Sequence, residues 1–84
     1  MASPNQVRFD AAYGDEPGTV LMQMGTVTPG FDEFLRRVDG GSWETEASRF
    51  VWQLHPGANR LEMRVKTRSG VQGPVSVLEL NYRP

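Results

Sequence analysis

The chain is 84 residues long, 38% hydrophobic and 23% charged, with nine Gly, six Pro and no Cys. One small domain fits that length, and the missing thiols exclude a disulfide-stapled fold and a cysteine zinc site. A formal net charge of −1 supplies no global field for nucleic acid or an anionic membrane, and no apolar run approaches the ~18 residues of a membrane-spanning helix. Met1-Ala2-Ser3-Pro4 leads into a mixed polar segment rather than an apolar one, so no leader peptide is expected.

Pro and Gly punctuate the chain at Pro17-Gly18, Pro29-Gly30, Gly40-Gly41, Pro56-Gly57, Gly70 and Gly73-Pro74. Gly supplies positive φ, and Pro fixes φ and removes a donor, so these positions mark turns. Turns every ~8–12 residues between short runs predict an all-β sandwich or barrel, with no helix longer than about two turns.

In chain order, residues 6–10, with Val7 and Phe9, read as a first strand, and the polar segment 11–18 as a loop. Residues 19–28 are rich in β-branched residues and Met. Val20, Met22 and Met24 form their inner row, and Gly25 suggests a bulge or a close neighbour. In 34–38, Phe34, Arg36 and Val38 alternate with Leu35 and Arg37. Apolar residues on both faces predict a central strand whose outer face is partly covered. Phe50, Trp52 and Leu54 alternate with Arg49, Val51 and Gln53. Residues 60–66 alternate most cleanly: Leu61, Met63 and Val65 point inward, and Glu62, Arg64 and Lys66 outward. Leu78, Leu80 and Tyr82 alternate with Glu79, Asn81 and Arg83. The total is six or seven strands. Phe34, Trp52, Leu54, Leu61, Met63, Val65, Leu78 and Leu80 are the expected core.

Three local patterns stand out. Asp39-Gly40-Gly41-Ser42-Trp43 is a tight turn followed by a Trp. Trp52-Gln53-Leu54-His55-Pro56-Gly57-Ala58-Asn59 runs through a corner into the strand ending at Val65 and Lys66. Gly70-Val71-Gln72-Gly73-Pro74-Val75-Ser76 opens the last strand. Together, over residues 34–82, they resemble immunoglobulin-like and fibronectin type III-like accessory modules. Such modules are appended to secreted or envelope transglutaminase-like and polysaccharide-degrading enzymes, and occur in bacterial sensor ectodomains. The resemblance implies a two-sheet antiparallel sandwich of about seven strands; the length and the abrupt ends of the chain read as residues 1–84 forming a single domain excised from a longer protein. The resemblance further implies an extracytoplasmic setting and neighbouring domains of the parent protein as partners. The chain departs from the pattern at two points: no Tyr follows Pro56-Gly57, and the paired cysteines of immunoglobulin domains are missing.

The residues that carry chemistry are sparse. His55 is the only histidine. A lone His without a ligand-spaced neighbour makes no tetrahedral metal site, and beside Pro56 and Gly57 it reads as a solvated turn residue. Asp15-Glu16, Asp32-Glu33, and Glu44 with Glu46 lack the spacing of a Ca²⁺ loop and read as solvated turn charges. Ser3, Ser42, Ser48, Ser69 and Ser76 lie in turns or at strand edges, outside any Gly-x-Ser-x-Gly. Gly40-Gly41 precedes a strand rather than a phosphate-binding helix. Arg36, Arg37, Arg49, Arg60, Arg64, Lys66 and Arg68 read as a mixed-charge face, neutralised across strands by Glu44, Glu46, Glu62 and Glu79.

Asn59 shares the inward parity of Leu61, Met63 and Val65. A buried amide is costly unless it is bonded. Asn59 is therefore expected to bond to backbone across the Pro56-Gly57 corner, the job of a tyrosine in many sandwiches. Trp52 reads as core. Trp43 reads as a lid over the core edge or as an exposed aromatic able to stack on a sugar ring. The expectation is a non-catalytic accessory or spacer module, with no cofactor or metal, that packs against or positions a neighbouring domain. The alternative is a carbohydrate-binding module using Trp43, with a saccharide as its partner.

Overall fold

The computed structural model describes residues 5–84. Met1-Ala2-Ser3-Pro4, and with them the leader reading and Ser3, lie outside the described residues. Seven strands and no helix occupy the described residues: β1 (Arg8–Tyr13), β2 (Thr19–Gly25), β3 (Phe31–Val38), β4 (Glu44–Glu46), β5 (Arg49–Gln53), β6 (Gly57–Thr67) and β7 (Ser76–Tyr82). They form two antiparallel sheets, ordered β1-β2-β5 and β4-β3-β6-β7. The chain changes sheet after β2, β4 and β5, and its hairpins are β1–β2, β3–β4 and β6–β7.

Alternation decides which side chains meet between the sheets. Val20, Met22 and Met24 of β2, Trp52 of β5, Phe34 of β3, and Leu61, Met63 and Val65 of β6 form the core with Val7. Phe34 stands opposite Val65, Val38 opposite Leu61 and Val20 opposite Trp52. Leu61, Met63 and Val65 are wholly removed from water, because β6 lies between β3 and β7 and faces the other sheet. Leu54, Leu78 and Leu80 are half-buried rather than fully so. The reason is position: β7 is an edge strand, and Leu54 lies in the corner beyond β5. Among the described residues the buried indole Nε1 of Trp52 has no hydrogen-bond partner.

Several boundaries differ from the sequence reading. The segment 11–18, expected as a loop, gives Ala11, Ala12 and Tyr13 to β1, where they pair with Met22, Leu21 and Val20. The ladder presented by β2 overrides the weak strand preference of Ala. Gly25 marks neither a bulge nor a close neighbour: it pairs in register with Arg8, and nothing lies within 4 Å of a β-carbon built on it. The irregularity falls instead between Phe31 and Glu33. Strand β4 is too short for alternation to announce it. Strand β6 starts at Gly57, so Asn59 stands within the strand.

Leu35 is buried on the outer face of β3, which lies between β4 and β6. At the opposite end of the sandwich from the Pro56 corner, residues 5–7 are clamped. Ser76 Oγ donates to the Val7 carbonyl at 3.1 Å, and Thr26 Oγ1 donates to the Gln6 carbonyl at 3.1 Å. A β-carbon on Gly73 would collide with the Asn5 carbonyl, so only glycine allows that approach.

Candidate functional site

Two arrangements gather the polar side chains singled out in the sequence. The first is the corner between β5 and β6. Gly57 takes φ 94°, a conformation that favours glycine, and Pro56 fixes the residue before it. Asn59 points inward and is 2% exposed. Its Oδ1 accepts the His55 N–H at 2.9 Å, and its Nδ2 donates to the carbonyls of His55 and Gly57, each at 2.9 Å. The Leu80 carbonyl lies 3.4 Å from the same Nδ2. One amide thus satisfies backbone groups on both arms of the corner and touches β7.

His55 sits on the solvent side of this corner. Its Nδ1 is 2.9 Å from the Pro56 carbonyl, and its Nε2 is 2.9 Å from Asp39 Oδ2. Both ring nitrogens face acceptors, an arrangement that favours the doubly protonated ring. The His55 pKa is accordingly raised, first by the Pro56 carbonyl and then by the Asp39 carboxylate. Asp39 is the one described non-glycine residue at positive φ, 51°. Its N–H donates to the Arg60 carbonyl at 2.8 Å, and its Oδ1 accepts the Arg60 N–H at 2.9 Å. The Arg60 N–H holds the Asp39 carboxyl below the usual carboxylate range, with His55 acting in the same direction. Asp39 was not singled out as a partner of His55. Its only signal is an Asp before Gly40-Gly41, a residue type that tolerates the left-handed region.

The second arrangement covers the outer face of the four-stranded sheet. Continuing the β3–β4 register places Trp43 opposite Arg37. Trp43 is half-buried, and the guanidinium carbons of Arg37 and Arg64 lie 5.0 and 5.2 Å from its ring centroid. Arg37 also forks onto Glu62, with Nε–Oε1 at 3.0 Å and Nη2–Oε2 at 2.8 Å. That fork holds the Glu62 carboxyl below its ordinary value, against the opposing effect of burial, and raises the Arg37 guanidinium. Glu62, read as a wet-face residue, is in fact buried, because Arg37 and Arg60 close over it. Glu79 pairs with Arg60 and Glu33 with Lys66. Glu44 and Glu46 pair instead with Arg36 on the opposite face, since Arg36 shares the parity of Phe34 and Val38. Among the described residues Arg64 has no carboxylate partner; its Nε donates to the Gly73 carbonyl at 3.2 Å.

These geometries fix local chemistry. Both nitrogens of His55 are engaged by the protein's own acceptors, and the ring of Trp43 is covered by the chain's own cations. Among the described residues no group of three or more His, Asp or Glu side chains gathers as a metal centre. The outer face of the three-stranded sheet carries a shallow depression of about 460 Å³, lined by residues that include Asp10, Ala12, Leu21, Gln23, Arg49 and Val51.

No family model, no curated protein and no solved structure matches the chain.

Proposed function

We propose that the chain is a non-catalytic fibronectin type III-like module that holds or positions neighbouring domains of a larger envelope or secreted protein. In a constant-type immunoglobulin sandwich the fourth strand extends the sheet of the first, second and fifth. Here β4 borders β3 instead. That exchange supports the fibronectin type III-like side of the resemblance over the immunoglobulin side. The extracytoplasmic setting rests on the resemblance alone.

The observation that carries the spacer role is polarity along the strands. Ser76, at the start of β7, bonds the residue just before β1. Tyr82, at the end of β7, lies against Gly18 in the β1–β2 turn. Chain preceding β1 and chain following β7 therefore depart from opposite poles, about 20 Å apart along the strands. Domains attached there are held apart rather than brought together.

The test is a fusion with one reporter domain ahead of the chain and one behind, with their separation followed by energy transfer and small-angle scattering. A single separation, lost when the module is unfolded, is expected. Reporters in contact with each other, or free to sample all separations, overturn the spacer reading. The carbohydrate alternative has less support, because Arg37 and Arg64 lie over the Trp43 ring. Saturable amide shifts centred on Trp43 during titration with a glycan panel would establish it instead.

A further inference from the structure

The outer face of the three-stranded sheet carries two ordered rows. In one, Ala12 of β1, Leu21 of β2 and Val51 of β5 stand side by side; in the next stand Asp10, Gln23 and Arg49. Leu21 is 48% and Val51 58% exposed. Among the described residues neither Asp10 nor Arg49 has an ion-pair partner. Two strand spacings, about 10 Å, separate them. The outer face of the other sheet differs, because its charges are largely matched within the chain, Arg37 to Glu62, Arg60 to Glu79 and Lys66 to Glu33.

An apolar row beside an unmatched anion at one margin and an unmatched cation at the other is self-complementary under a two-fold axis. We propose that this face is the interface of a homodimer, two copies stacking outer face to outer face about an axis that runs along β2. Rotation about that axis exchanges the β1 and β5 sides and keeps the position along the strands. Asp10 then meets Arg49 of the partner subunit, and the reciprocal pair forms by symmetry. Leu21 meets its own symmetry mate, and the small Ala12 faces the larger Val51 of the partner subunit. No like charges are opposed in these two rows. Stacked sheets tolerate the crossing of about 30° that twist imposes.

The area sets the strength. Three strands by about six residues give a footprint of about 300 Å² per copy, well below the ~800 Å² per partner of a stable complex. The dimer is therefore weak, and copies held together at millimolar effective concentration favour it. It stands independently of the spacer role.

Sedimentation equilibrium of the full chain from about 10 μM to about 1 mM tests it. The unmodified chain is expected to dimerise, with concentration-dependent amide shifts confined to the two rows. Asp10→Arg and Arg49→Glu each turn two reciprocal attractions into repulsions and weaken the dimer about tenfold or more, while the double reversal returns it to within about threefold. Val51→Lys, at an exposed site, weakens the dimer without altering either charge. Circular dichroism of each variant separates lost association from lost fold. A chain that stays monomeric to about 1 mM overturns the proposal and leaves the face to another domain. So does a dimer that the single reversals do not weaken, one that the double reversal does not restore, or shifts centred on β7.

Discussion

His55 Nε2 lies 2.9 Å from Asp39 Oδ2, a residue sixteen positions earlier, and the contact ties the β3–β4 turn to the β5–β6 corner. The β3–β4 turn belongs to the four-stranded sheet, and the corner carries the chain into it from the three-stranded one. The ion pair therefore stitches the crossover at one pole of the sandwich.

That stitch makes stability depend on pH. The His55 pKa is raised on folding, so its contribution is complete below the unfolded value of about 6.5 and is lost as pH rises through the folded one. The Asp39 pKa is lowered, so its contribution is present above the unfolded value of about 3.9 and is lost as pH falls through the folded one. The pair is fully effective between about pH 4.5 and 6. Thermal unfolding should show the melting temperature falling as pH rises above about 6.5, and His55→Ala should flatten that alkaline limb. A limb of equal slope in the variant would show that another group is responsible.

Asn59→Ala should destabilise the domain by about 2–3 kcal/mol, because it leaves the His55 N–H and the His55 and Gly57 carbonyls without their partner. Asn59→Asp is the sharper probe. It keeps the acceptor for His55 N–H but sets a carboxylate against carbonyls that need a donor. Urea titration at neutral pH should find it less stable than Asn59→Ala, with partial recovery in mild acid, where a protonated carboxyl can donate.

Trp52→Ala should cost about 3–5 kcal/mol, the range for truncating a large core aromatic. Trp52→Phe should cost far less, because the buried Nε1 it removes has no partner to lose. Equilibrium unfolding of the two variants decides the matter. Equal losses would mean that the ring Phe retains does not pack at this site.

Gly73→Ala should destabilise by about 1–3 kcal/mol, since the added methyl meets the Asn5 carbonyl rather than open space. Gly25→Ala is the control: the site is open, and its backbone is not in the left-handed region. A melting temperature unchanged by Gly73→Ala would mean that residues 5–7 do not stay docked against the start of β7.

Alternation fixed the inner rows before any tertiary information. Val20, Met22 and Met24, and likewise Leu61, Met63 and Val65, face the core because side chains on a strand alternate strictly. The need to satisfy a buried amide was equally legible: inward parity for Asn59, beside a Pro-Gly corner, left backbone groups as its natural partners. Other features are properties of pairing between distant segments. Ala11, Ala12 and Tyr13 are strand because β2 supplies their ladder. Leu78 and Leu80 are half-buried because β7 ended at an edge. Glu62 is buried because Arg37, twenty-five residues away, forks onto it. The Asp39–His55 contact and the Arg37–Trp43–Arg64 stack belong to this second kind. Short-range periodicity is dictated by covalent geometry, so the chain alone determines which way each side chain turns. Which partner it then meets depends on strand order and register, and only the assembled sandwich decided those.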